Sequence, residues 1–112
     1  MYSRELLKGT LSVIILKLLA ENGRMYGYEM FTRVKSMSDE KIVLKDGSLY
    51  PALAKLTKQG FLTVEEEMVG NRKRKYYTLT KEGVEAKATH MAEVKDFIST
   101  INRVLFPKFE SV

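Results

Sequence analysis

The densest chemistry in this chain is cationic. Arg72-Lys73-Arg74-Lys75 sets four positive side chains in succession, followed directly by Tyr76-Tyr77. Four adjacent cations repel one another, so an anionic partner would stabilise them. Neutralised phosphates would make that binding salt-dependent. The plainer reading is a solvated hairpin tip. Glu65-Glu66-Glu67 precedes it, and some of these carboxylates can pair across a hairpin with Arg74 or Lys75. Phosphate is the expected partner of Arg72 and Lys73. Tyr76 and Tyr77 fall on opposite faces of a strand, so one belongs to the core and the other is partly exposed.

A second candidate cluster lies between Asp46 and Gly60. Leu49, Leu53 and Leu56 form an apolar stripe, and the opposite face carries Pro51, Ala54, Lys55 and Lys58, with Tyr50 at its edge. Such a face can enter a DNA major groove, with Tyr50 donating to a phosphate or base edge. Taken alone, the charge pattern favours an ordinary amphipathic helix with a solvated lysine face.

Other chemistries find no residues to carry them. The absence of cysteine excludes a disulfide framework and cysteine metal sites, and it suits a reducing compartment. His90 is the only histidine. Zinc would need further ligands, and catalysis would need a nucleophile and an orienting acid. His90 therefore reads as a solvent-facing helical residue. Phosphate-loop and dinucleotide-binding glycine patterns are absent. The expectation is no enzyme, no metal and no cofactor. Met25, Met30, Met37 and Met68 read as core filling, and Met91 alone as a pocket candidate.

The chain has 112 residues, enough for one compact domain, and a 45% apolar content argues against disorder. A net charge of +5 and a pI of about 9.4 favour an anionic partner. The positive excess lies in the first two thirds, which places a nucleic-acid surface there. The longest apolar stretch, Leu11 to Ala20, is too short to span a bilayer and contains Lys17. No signal sequence is recognised, and a cytoplasmic protein without membrane contact is expected.

The elements that must position these residues follow from periodicity and punctuation. A first helix is expected from about Arg4 to Asn22, apolar on several sides and stopped by Gly23. A second runs from about Gly27 to Ser36 with Tyr28, Phe31 and Val34 inward, joined by Met30. Ile42-Val43-Leu44 adds a short extended piece. A third helix starts near Gly47, capped by Asp46 or Ser48, with Pro51 in its first turn and Gly60 beyond its end. Two strands, about Phe61 to Met68 and Lys75 to Thr78, turn at Gly70-Asn71 and make a basic wing. Thr80 caps the last helix, with Glu82 in its first turn. Val84, Ala88, Met91, Val94, Ile98, Ile101 and Leu105 step by four or three residues into one apolar seam, ended by Pro107. The chain has nothing left to cover that seam, and a second copy is the simplest cover.

Four blocks resemble the PadR family of bacterial transcriptional regulators. They are Gly9-Thr10-Leu11, Tyr26-Gly27-Tyr28-Glu29, Gly47-Ser48-Leu49-Tyr50-Pro51-Ala52-Leu53 and Lys75-Tyr76-Tyr77-Thr78-Leu79-Thr80. They span nearly the whole chain in order. The short length and single C-terminal helix are similar to the family's short subgroup. The resemblance implies a mainly α (α+β) winged helix-turn-helix, with residues 1–79 as DNA-binding domain and 80–112 as dimerisation helix. It implies a homodimer that represses promoters by binding double-stranded DNA, often released by a small aromatic effector.

Carried onto this chain, the DNA residues are Ser48, Tyr50, Pro51 and Lys55 on the third helix and Arg72, Lys73 and Arg74 on the wing. Tyr26 and Tyr28 can reach a phosphate. An effector would lie between the first helix and the partner's last helix, near Leu11, Ile15, Met91, Val94 and Phe97. Drug-binding members of the short subgroup stack flat ligands on a tryptophan of the last helix. This chain has no tryptophan. The equivalent position is Val94, and Phe97 lies on a different face. The alternative to DNA binding is a winged-helix module whose seam takes another protein's helix.

Overall fold

The chain starts on a side-chain cap. The Ser3 hydroxyl accepts the Leu6 N–H at 3.4 Å and opens α1 (Arg4–Lys8). The structure, a computed structural model, describes residues 2–108. The single helix expected from Arg4 to Asn22 is in fact two, because α2 (Leu11–Asn22) begins afresh after Gly9-Thr10. Glycine is a poor helix former, and the Thr10 hydroxyl donates to the Leu7 carbonyl at 3.1 Å, so side chain and backbone compete for the ladder there. α2 buries Val13, Ile15, Leu16, Leu18 and Leu19. It is thus covered on more than one face, as its apolar residues require. Gly23 stops it at φ 74, its N–H bonded to the Leu19 carbonyl.

A two-residue strand, β1 (Met25–Tyr26), leads into α3 (Gly27–Met37). The buried stripe of α3 is Gly27, Met30 and Val34. Tyr28, expected inward, is instead exposed and stacks on Phe31. The 3.6-residue period carries both sets, and the small Gly27 takes the core-facing place. Ile42 to Leu44 forms no strand. The Ser38 hydroxyl holds the Ile42 N–H at 2.9 Å, and Leu44 enters the core from an irregular segment.

The next helix, α4 (Asp46–Lys58), buries Leu49, Leu53 and Leu56 as their spacing predicts. Its N-cap is Lys45, with no side-chain cap from Asp46 or Ser48. The Lys45 carbonyl accepts the Ser48 and Leu49 N–H groups instead. Pro51 sits in the second turn and not the first. Its missing N–H leaves the exposed Gly47 carbonyl without a helical donor, which water can replace.

The wing strands are β2 (Leu62–Val69), as long as expected and shifted by one residue, and β3 (Arg72–Leu79), which starts earlier and is longer than the sequence indicated. Gly70, at φ 63, takes the first place of the two-residue turn. β1 adds a third antiparallel strand beyond the two expected, giving the order β1-β3-β2 with Met25 opposite Tyr77 and Tyr26 opposite Tyr76. One sheet face carries Met25, Leu62 and Tyr77 into the core, and burial pushes the Tyr77 hydroxyl pKa up. Tyr76 lies on the other face and is half-buried.

The long helix α5 (Lys81–Leu105) starts from Thr80, whose hydroxyl accepts the Gly83 N–H at 3.0 Å and donates to the Gly60 carbonyl at 2.7 Å. It leans on α2 and β3 through Gly83 and Ala86. His90 is half-buried on this helix, not solvent-facing as expected. Met25 and Met30 fill the core, whereas Met37 and Met68 are exposed, against expectation. No helix among the described residues is long and apolar enough to cross a membrane.

Candidate nucleic-acid interface

The wing's four cations alternate in direction because successive strand residues point to opposite faces. Arg72 and Arg74 share a face with Tyr76; Lys73 and Lys75 share the other with Tyr77. On the first face two guanidinium–ring stacks meet. The Arg24 guanidinium lies 4.0 Å from the centre of the Tyr76 ring, and that of Arg74 lies 4.0 Å from the centre of Tyr26. The two rings meet edge to face, 5.4 Å between centres. Such stacking suits a planar cation on a π face and an offset aromatic pair.

The carboxylates do not pair as the sequence suggested. Glu67 stands opposite Arg74 and Glu66 opposite Lys75 in register, yet Glu67 forms its ion pair with Arg24. Among the described residues no carboxylate forms an ion pair with Arg74 or Lys75. The hydrogen bond from Arg24 holds the Glu67 carboxyl below its usual pKa, and the same bond raises that of Arg24. Arg74 donates weakly to the Tyr76 hydroxyl at 3.4 Å, which raises the guanidinium pKa further and keeps it charged.

A cleft of about 440 Å³ opens between α4 and the wing, lined by Tyr26, Gly27, Tyr50, Glu66, Lys73, Arg74 and Lys75. An adjoining hollow holds Tyr26, Tyr28, Arg72, Lys73 and Arg74. The structure thus brings together six of the nine expected DNA residues: Tyr26, Tyr28, Tyr50, Arg72, Lys73 and Arg74. The other three lie apart. Pro51 and Lys55 are exposed on the outer face of α4, and Ser48 lines a separate recess with Tyr2, Arg4 and Lys45. Sequence reasoning missed Gly27, Glu66 and Lys75 in the cleft, and Arg24 behind it. For Lys75 the cationic run was a signal. For Arg24 there was none, because its partner Glu67 is 43 residues away.

The expected effector residues do not converge within one chain. Ile15 is fully buried in the chain's own core and Leu11 packs against it, while Phe97 is exposed. Met91 and Val94 share an open groove of about 420 Å³ with Ala92, Lys95 and Ile98. A separate apolar cavity of about 220 Å³ lies between α2 and α3, lined by Ile14, Leu18, Val34, Met37 and Ile42, with Lys17, Glu21 and Ser38. Along the seam Val84, Ala88, Met91, Ile98 and Leu105 are exposed, and Val94 and Ile101 are half-buried.

The helices α2, α3 and α4 with a hairpin wing beside α4 define a winged helix-turn-helix protein. Residues 15–89 match the transcriptional regulator PadR-like family, and the chain belongs to that family of regulators, which are not enzymes. An uncharacterized protein of Lysinibacillus sphaericus is 30% identical over 102 residues, covering 88% of this chain and 93% of that protein. A transcriptional regulator from Clostridium thermocellum is similar in structure, with a TM-score of 0.83 and 32% identity over 90% of this chain and 98% of its own. A PadR family regulator from Eggerthella lenta has a TM-score of 0.76 and 31% identity, covering 93% of this chain and 88% of its own.

Proposed function

We propose that this regulator binds a palindromic operator as a homodimer and represses transcription. Residues 1–79 grip the duplex and residues 80–112 join the two copies. The observation that carries this reading is the single surface on which α3, α4 and the wing meet, with Tyr26, Tyr50, Lys73 and Arg74 around one cleft. Tyrosine hydroxyls and cations are the groups that hold phosphate. α4 reads the major groove with Tyr50, Pro51 and Lys55, aided by Ser48. Arg72, Lys73 and Arg74 hold the flanking backbone, and Tyr26 and Tyr28 reach a phosphate.

The exposed seam of α5 supports the dimer, because an apolar ridge of this length is stabilised by a partner. Two-fold pairing would place the two α4 helices about 34 Å apart, one turn of DNA. A small apolar or aromatic effector would enter beside Met91 and Val94, next to the partner's first helix, and shift the population of dimer shapes.

The test is a mobility shift and footprint on the DNA upstream of the protein's own gene. Wild type should protect a two-fold site, and changing Arg72 and Lys73 to Ala should weaken binding to every duplex. The slope of log K against log salt should fall by about one for each phosphate no longer neutralised. An unchanged slope would remove the wing from the interface. No shift at low salt and micromolar protein would favour a protein-binding module instead.

A further inference from the structure

Gly27 is the one glycine among the residues that line the cleft. A Cβ built on it would stand 2.6 Å from the Tyr50 hydroxyl oxygen, 2.9 Å from Cζ and 3.0 Å from Cε1. The Tyr50 ring therefore lies against the bare α-carbon at the first turn of α3. Gly27 has no positive φ that would explain it; the two positive-φ glycines nearest in the chain are Gly23 and Gly60. It is also helical and buried, a place where alanine would improve helix propensity. Space for the tyrosine is the reason the structure gives for glycine here.

We infer that Gly27 is a positioning residue for operator reading: it seats the Tyr50 ring on α3 and so fixes where the Tyr50 hydroxyl points. The inference rests on the proposed DNA-binding function. Tyr50 comes from α4 and Gly27 from α3, so the seat also sets α4 against the helix that Tyr26 caps. Tyr26 in turn holds Arg74 of the wing at 4.0 Å. One small residue thus lets groove helix and wing share a common reference. Tyr50 is 44% exposed, so its ring can swing into solvent when the seat is filled. A Cβ at Gly27 would then cost position without costing the fold. Gly83 behaves oppositely, because a Cβ there meets the Phe61 carbonyl oxygen at 2.2 Å, and backbone cannot swing away.

The experiment compares wild type, Gly27→Ala, Tyr50→Ala and the double variant. Each is measured for its affinity ratio between a footprinted site and a random duplex, its thermal midpoint, and its tyrosine ring NMR signals without DNA. Gly27→Ala should keep the wild-type midpoint or raise it, move the Tyr50 ring signals, and reduce the affinity ratio by about tenfold. Adding Gly27→Ala to Tyr50→Ala should change the ratio no further, since the ring it displaces is gone. Unmoved Tyr50 signals, an unchanged ratio in Gly27→Ala, or a further loss in the double variant would each overturn the inference. A wild type that discriminates between no duplexes, with Tyr50 signals that still move in Gly27→Ala, would overturn the DNA reading and with it any role in operator reading.

Discussion

Thr80 and Gly83 join the start of α5 closely to the start of the wing. Thr80 receives one hydrogen bond from the first turn of α5 and gives one to Gly60, and Gly83 lies against the Phe61 carbonyl. Replacing Thr80 by Ala removes both bonds and should cost about 1 kcal/mol, read as a lower midpoint in thermal denaturation. Gly83→Ala should cost more, about 2 kcal/mol or beyond, because its added methyl meets backbone on an element that must then shift. Equal effects of the two would mean that the joint is held by the cap alone. The Thr80 cap was legible in sequence, since Thr-x-Glu before an apolar period is a local signal. The close approach of Gly83 was not, because Phe61 is brought to it only when the wing folds back. Gly27 was legible as part of a motif but not as a seat for Tyr50, for the same reason.

Elements defined by a single period were read well, and elements defined by a distant partner were not. Leu49, Leu53 and Leu56 announced α4, and β-branched and aromatic residues on either side of Gly70-Asn71 announced the wing. β1 has only Met25 and Tyr26 and exists because β3 offers an edge, so no local pattern could reveal it. The break at Gly9-Thr10 was hidden because apolar residues continue on both sides. The wing gains a second tie through Arg24 and Glu67, which yields a pH prediction. With its pKa lowered, folded Glu67 stays ionised where the unfolded group would begin to protonate. The pair therefore contributes fully above the ordinary carboxylate value, and the contribution is lost as pH falls through the lowered one. The two side chains are 41% and 43% exposed, so solvent screens the pair and the effect is small. Substituting Glu67→Gln should leave a slightly less stable protein at neutral pH, and the difference from wild type should vanish in acid. A difference that persists at pH 2 would assign it to packing and not to charge.

The whole molecule is elongated, 66 × 29 × 21 Å, with α5 as its long member. Ile98 is 59% exposed on the ridge of that helix, so a charge there should spare the monomer fold. In the proposed dimer Ile98→Glu would bury two carboxylates at the shared seam. The expected cost is on the order of 3 kcal/mol, about a hundredfold in dissociation constant by sedimentation. A dimer unaffected by this change would place the pairing surface elsewhere. The seam itself was legible as spacing, because α5 obeys one period throughout. Which half of it the chain covers was not: Val94 and Ile101 turned out half-buried while their neighbours stayed open.

The clamp at Thr80 also restricts how this gene can change length. An α-helix advances about 100° with each residue, so one codon gained or lost between Gly83 and Leu105 would swing everything downstream by a quarter turn or more. The fixed end cannot rotate to compensate. Additions of seven codons would nearly restore the phase, lengthening the rod by about 10 Å while leaving its greasy side facing the same way. Relatives of this protein should therefore differ in this segment by sevens far more readily than by ones.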